Sequence, residues 1–367
     1  MKISLEDKYQ WSVRFIAGAL VMSLFLGTKI WLTDREFPVL PYFSFIPAIP
    51  APFDYAIYAI TVAIASLLLI YPLQTKLVWA TAGLLLFLMV FDQMRWQPSI
   101  FFCLIGLIAL SLSYKNKEYG LQALRAMLVF WFVWSGIQEL NPIFKSYIFP
   151  YIFKPIIEFF PKAAVPFFQS IAYTFPILQI VAGILLLLPL KDFKKYVVFT
   201  AIGIHLLLFL VMGPLGNAFN YSYLPYNLCS AGLILLLFYN QQIHLKTLFF
   251  NRQFWFSVPV TLFLGIMPFF NQFGFWDSLQ SYNTYSGKAK YGKVYMPESM
   301  TEKLPDSIKN QIKRYGKEPY VEITLWSLDV LDVPAYAEVR VYNQIKNYIC
   351  QFDTAATCRA RLEIYTY

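Results

Sequence analysis

Apolar runs long enough to cross a bilayer, roughly 17–25 residues, dominate the chain up to about residue 271. They lie near residues 11–32, 53–74, 77–93, 98–113, 121–138, 172–190, 195–213, 225–240 and 253–271, nine in all. The third and fourth are short and meet in a tight polar knot, Asp92-Gln93-Met94-Arg95-Trp96-Gln97-Pro98. Between the fifth and sixth, the segment 139–170 carries Pro142, Pro150, Pro155, Pro161 and Pro166 among aromatics. Proline removes a backbone donor and clashes with the preceding turn, so one straight helix is excluded there. The segment is expected to lie in pieces at the membrane interface. The pattern predicts a mainly α architecture: a polytopic transmembrane helical bundle of about nine spans over residues 1–274. A small C-terminal extracytoplasmic α+β domain over 275–367 completes it.

One stretch interrupts the apolar pattern more than any other. From His205 the chain runs as an apolar helix, breaks at Gly213-Pro214, and passes Gly216, Asn217, Asn220, Tyr221, Tyr223, Pro225, Tyr226 and Asn227. An unpaired polar group at membrane depth costs roughly several kcal/mol. This stretch is therefore expected to line water, protein or a ligand. In the tail, Lys290–Met296, Tyr320–Leu328 and Arg359–Tyr365 read as strands, the second alternating Val321, Ile323 and Leu325. Asp306–Gly316 reads as a helix. Asp332 reads as the cap of another, starting at Pro334 and running to about Tyr348.

Composition supports the membrane reading. Hydrophobic residues make up 58% of the 367 and charged ones 14%, where soluble domains run at about 45–50% and about 25%. The mean hydropathy is +0.51, and aromatics reach 19%, as interfacial belts require. Of the net charge of +9, residues 275–367 hold 12 basic and 11 acidic residues, net +1, leaving 18 and 10, net +8, for residues 1–274. That excess reads as a topology signal. No basic stripe with interleaved aromatics appears, so a nucleic-acid partner is not expected. No cleavable signal peptide is expected either, since the first apolar run carries Arg14 and Lys29. With the N-terminus inside, Lys2, Lys8, Arg14, Lys76, Lys115, Lys117, Arg125, Lys191, Lys194, Lys195, Lys246 and Arg252 fall on the inner side. Lys29, Arg35, Arg95, Lys145, Lys154 and Lys162 fall outside, six against twelve. The positive-inside bias then places the N-terminus in the cytoplasm and, after nine spans, the tail in the periplasm of a bacterial inner membrane.

This topology puts every unusual polar cluster at the outer mouth: Asp92–Arg95, Gln138–Asn141, Gly213–Asn227 and Trp276–Gly287. Ionisable residues at membrane depth mark functional sites by default. Asp92 and Arg95, three apart, either pair to orient a turn or meet a ligand. Glu139 ends an apolar run and His205 lies near the middle of one, and these two are the candidate catalytic groups. Each also has an ordinary reading, as an interfacial carboxylate and as a neutral imidazole bonded to a neighbouring helix. Asp92, Arg95, Gln138, Asn217, Asn220 and Asn227 are the candidate ligand-binding residues. Cys350 and Cys358 are expected to form a structural disulfide in an oxidising compartment. Cys103 and Cys229 read as small buried thiols, a redox pair being the alternative. Two histidines, His205 and His244, without Cys–His spacing give no metal or haem site. No cofactor is identified, and a quinone or a lipid is the class compatible with an outward-facing mouth.

Several pieces resemble the DoxX-like and horizontally transferred transmembrane (HTTM) group of membrane proteins, which includes the vitamin K-dependent γ-glutamyl carboxylase. They are Trp134-Ser135-Gly136-Ile137-Gln138-Glu139-Leu140-Asn141-Pro142-Ile143-Phe144, Pro176-Ile177-Leu178-Gln179-Ile180 before Gly183, His205 with Gly213-Pro214 and Leu224-Pro225-Tyr226-Asn227, and Tyr285-Ser286-Gly287. The resemblance implies a multi-pass helical fold and quinone-linked, redox or envelope-complex roles. The carboxylase activity is not carried over, because Lys29 is the sole lysine within a span and a short tail stands in place of a large lumenal domain. Two functions are thus expected. One is a subunit or accessory factor of an envelope assembly, binding a membrane or envelope partner through its outer face and C-terminal domain, with membrane lipids around it. The alternative is a membrane enzyme with an outward-facing site for a quinone, a lipid or an exported peptide. There Glu139 or His205 would be the base, Arg95 would hold an anion, and Asn217, Asn220 and Asn227 would orient the ligand. A transporter, which would show inverted repeats and midplane breaks, ranks behind both.

Overall fold

A computed structural model describes residues 3–43, 45–216, 220, 223–241, 258–316, 318–355 and 357–366. Among the described residues, eight longer helices build the first part: α1 Leu5–Leu26, α2 Phe53–Ile70, α3 Thr75–Phe91, α4 Pro98–Leu112, α5 Lys117–Glu139, α6 Thr174–Leu187, α7 Lys194–Met212 and α8 Tyr223–Phe238. A ninth helical stretch, α9 Val258–Phe273, follows. Each expected run is helical where described, but not each is a full span. Among the described residues, five stretches are long and apolar enough to cross a membrane: Leu5–Leu26, Phe53–Ile70, Tyr114–Glu139, Lys162–Leu187 and Lys191–Met212. The expected count of nine is corrected by length. At about 1.5 Å per residue, the 15 residues of α4 reach roughly 22 Å, short of a hydrocarbon core of about 30 Å. The reason is local. Asp92 ends α3 and caps a 3-10 turn, accepting from the Met94 N–H, and Pro98 starts α4. Thirteen of the 15 α4 residues are buried, so it sits inside protein.

The segment 139–170 is broken as its prolines require, into Phe144–Ile148, Phe149–Ile152, Lys154–Ile157 and Lys162–Ala164, before Val165–Ile171 leads towards α6. Two of the inner-set basic residues, Lys117 and Arg125, sit at one end of the bundle. There Lys117 pairs with Glu6 at 3.0 Å and Arg125 with Glu118 at 2.8 Å, while Arg125 Nε donates to Leu237 O at the end of α8. The polar knot, the broken segment and the tail occupy the opposite end.

Residues 276–286, just beyond the expected boundary at 275, are bonded to both parts: Asn141 Nδ2 donates to Ser286 O at 2.7 Å, while the Ser278 N–H donates to Glu338 Oε1 at 2.8 Å. The tail sheet starts at β1 Tyr291–Tyr295 and continues with β2 Ile312–Lys313, β3 Tyr320–Glu322 and β4 Arg361–Tyr365, ordered β2-β3-β1-β4 and antiparallel throughout. Two helices cover it, α10 Ile323–Leu331 and α11 Val339–Cys350. In α11, Val341, Tyr342, Ile345 and Ile349 are buried and line one helical face.

Three tail expectations are corrected. The strand expected over 320–328 stops at Glu322, and Ile323 begins a helix. The helix expected over 306–316 ends at Lys309, because Ile312 and Lys313 pair with β3. Asp332 ends α10 in the left-handed region (φ +58°) instead of starting the next helix.

The Cys350–Cys358 disulfide is formed and ties the end of α11 to the approach of β4. Beside it, hydrogen bonds from Arg359 hold the Asp353 carboxyl well below the usual carboxylate range. Closing a loop of this length (separation 8) removes unfolded-state freedom worth about 2–3 kcal/mol. Reduction should therefore lower hydrogen-exchange protection of the amides in 339–365 by about that free energy, leaving α1–α8 unchanged. Equal protection with and without reductant would show that the bridge holds nothing.

Candidate functional site

The site begins at a seam between α5 and α6. A Cβ on Gly136 would lie 2.6 Å from Pro176 O and from Ile180 Cγ1, and one on Gly183 would lie 2.8 Å from Phe132 Cβ. Only glycine lets these backbones approach so closely. The seam sets Glu139, the last residue of α5, against Gln179 of α6, whose Nε2 donates to Glu139 Oε2 at 2.8 Å. The chain turns away just beyond: Asn141 donates to Gln138 O and accepts from the Phe144 N–H. A carboxylate at a helix C-terminus faces the negative pole of the helix dipole. Among the described residues, no cation pairs with Glu139. Helix stability therefore gives no reason for a glutamate at this position.

The facing wall comes from α7 and α8. His205 Nδ1 lies 3.0 Å from Asn227 Oδ1, while Asn227 Nδ2 donates to Tyr223 O at 3.0 Å. The second bond fixes the amide, so its oxygen faces the imidazole and Nδ1 carries the proton. Nε2 then presents a lone pair, and among the described residues it has no partner. A buried imidazole held this way is a base in waiting.

Both walls enclose one cavity of about 40 Å³, lined by Ser135, Glu139, Gln179, His205, Asn227, Tyr223 and Tyr285 among others. That is room for a water or a small polar head. Aromatic rings close it: Trp131 lies 4.1 Å from Tyr226 and 4.8 Å from Tyr282, and Phe132 lies 5.0 Å from His205, centroid to centroid. A larger crevice of about 480 Å³ opens between the broken segment and the tail, lined by Ile143, Ile148, Leu325, Leu328 and Pro334. Tyr285 lines both spaces and is the wall between them.

The two candidate catalytic residues and Asn227 thus meet in one chamber. Of the other expected ligand residues, Asp92, Arg95, Gln138 and Asn220 do not line it. Asp92 is fully buried, 2.6 Å from Arg35 and 3.8 Å from Arg95. Arg95 donates to the carbonyls of Ile30, Trp31 and Leu88. With their polar atoms turned to protein partners, the ligand role expected of Asp92 and Arg95 gives way to a structural one. Gln138 Oε1 accepts from Lys288 Nζ at 3.3 Å, and burial lowers that lysine's pKa. Asn220 is buried beside the Tyr285 hydroxyl. Asn217 and His244 lie outside the described residues. Cys103 and Cys229 are buried free thiols.

Gln179 was the missed partner. Its signal was plain, since it is the one amide in the apolar run Thr174–Leu187. Tyr282 and Tyr285 carried no such signal, because only the fold brings them back over the chamber. Among the described residues, no group of three or more His, Cys, Asp or Glu could hold a metal ion. No family model, curated protein or solved structure matches the chain.

Proposed function

We propose that this is a multi-pass membrane enzyme that moves a proton to or from the polar head of an amphipathic, lipid-soluble molecule of the quinol or hydroxylated-lipid class. The observation that carries the reading is that Glu139 and His205, from two helix pairs, line the same small cavity. His205 Nε2 takes the proton of a hydroxyl, Asn227 stabilises the imidazolium through Nδ1–H, and Glu139, steadied by Gln179, orients the head or shares the proton. The apolar crevice beyond Tyr285 houses the chain of the molecule. This accords with the quinone-linked role implied by the DoxX-like and HTTM resemblance. In the same reading all nine helices lie in the membrane, α4 and α8 being shielded by protein. The N-terminus is cytoplasmic and the tail extracytoplasmic, where its disulfide persists.

The test is binding of a decyl-substituted benzoquinol to the full chain by equilibrium dialysis. His205→Ala and Glu139→Gln should each weaken it about tenfold, the worth of one buried hydrogen bond to a charged group. The exposed Glu158→Gln should not. A wild-type chain that takes up no quinol, or variants that bind as well as it does, would sink the reading.

A second reading, an accessory subunit of an envelope assembly, has one observation of its own. Phe45, Phe159 and Phe275 are 81%, 84% and 76% exposed at the tail end of the bundle. Aromatics so exposed suit a membrane interface or a partner chain.

A further inference from the structure

At the end of the bundle opposite the chamber, a second polar cavity of about 460 Å³ opens where α6 turns into α7 and α8 ends. Among the described residues, Lys191, Lys194, Lys195, Asn240 and Gln241 line it with Asp192 as the one acid, so these side chains sum to +2. Lys194 is buried, with its ammonium over the Phe238 ring and bonded to Leu186 O and to Leu188 O, the latter at 3.0 Å. It closes the C-terminal end of α6 and keeps its charge recessed in the cavity. Lys191 and Lys195 are exposed, and among the described residues neither has an acidic partner. Lys191 adopts φ +39° and Asn240 φ +54°, the left-handed region that non-glycine residues rarely occupy. Phe193, just before α7, and Tyr196 and Phe199 on it follow at steps of three and are 56%, 58% and 55% exposed. They form an apolar strip that starts at the rim of the cavity and runs down the bundle.

We infer that this cavity binds the phosphate of an anionic phospholipid headgroup, with the acyl chains laid along Phe193, Tyr196 and Phe199. The charge is complementary, and the recess is polar where a headgroup sits. The strip continues apolar where chains sit, and a soluble phosphate would make no use of it. Basic pockets between helices on the inner face of a membrane take such headgroups.

The test is native mass spectrometry of the full chain in detergent with phosphatidylglycerol, phosphatidylcholine or glycerol 3-phosphate. The wild type should retain phosphatidylglycerol at least fivefold over phosphatidylcholine, and an excess of glycerol 3-phosphate should not displace it. Each lysine near an anionic headgroup is worth about fivefold, so Lys191→Gln/Lys195→Gln should weaken phosphatidylglycerol binding about twenty- to thirtyfold. Both side chains are exposed, so the melting temperature of this variant should not move. Lys309→Gln/Lys313→Gln removes the same charge from the tail and should change nothing. Equal retention of the two lipids would overturn the inference, as would an unaffected Lys191/Lys195 variant or an equal loss in the tail variant. Displacement by glycerol 3-phosphate would make the site one for soluble phosphate and overturn the lipid assignment.

Discussion

Replacing Asp92 with leucine should destabilise the protein by about 3–5 kcal/mol, the usual cost of breaking a buried ion pair from one side. Asp92 lies between Arg35, 3% exposed, and Arg95, 0% exposed, and accepts from the Leu40 and Met94 N–H groups as well. Leucine leaves two buried guanidinium groups with no carboxylate. Arg95 is also the donor that joins the end of the first helical arm, through Ile30 and Trp31, to α3 through Leu88. A urea titration of the full chain, followed by circular dichroism, reads the effect as a lower midpoint at unchanged slope. An unmoved midpoint would mean that the cluster contributes nothing net.

Trp326→Ala should cost about 3–5 kcal/mol, as removal of a large core aromatic does. Its loss should appear first as release of the tail. Trp326 is fully buried, with its ring 4.8 Å from Phe37 of the membrane part. Around it, Lys29 pairs with Asp332 at 2.9 Å, Arg340 is paired with Asp277, and Arg340 Nε donates to Gln93 Oε1 at 2.8 Å. These polar links are partly solvent-exposed and worth little alone, so the buried ring contact holds the dock. Limited proteolysis should cut the variant within 287–290 well before the wild type. Identical digestion patterns would place the holding energy in the polar links instead.

The sequence carried the helical part of the fold clearly, because each helix is written in one long apolar run. It did not carry span length, since Asp92 and Pro98 cut two helices short and the resulting α4 is shielded by protein. In the tail, the run after Tyr320 fits two periods at once. Val321, Ile323 and Leu325 alternate as a strand does, while Ile323, Trp326 and Leu331 share a helical face, and packing chose the helix after Glu322. Asp332 was open to the same ambiguity, because aspartate suits both a helix start and a left-handed helix end. For the candidate site, polar residues in or at the end of an apolar run pointed to Glu139 and His205, which line one cavity. That signal did not separate them from Asp92 and Arg95. That distinction rests on Arg35, a partner 57 positions before Asp92 in the chain, and no local pattern announces such a partner.

The dock between tail and bundle also orders the assembly of the chain in time. Gln93 Nε2 donates to Gln344 Oε1 across 251 positions, Gln344 Nε2 to Pro41 O across 303, and Gln280 Nε2 to Trp96 O across 184. At about 5–20 residues per second of synthesis, Gln93 waits roughly 10–50 s for its partner to be made. Through that interval the polar knot lacks these partners while the rest of the bundle is still being made. A ribosome that stops early leaves it so permanently. Residues 280–344 therefore close the knot last, and the end of the bundle at Pro41, Gln93 and Trp96 is covered only after the helices themselves have been made.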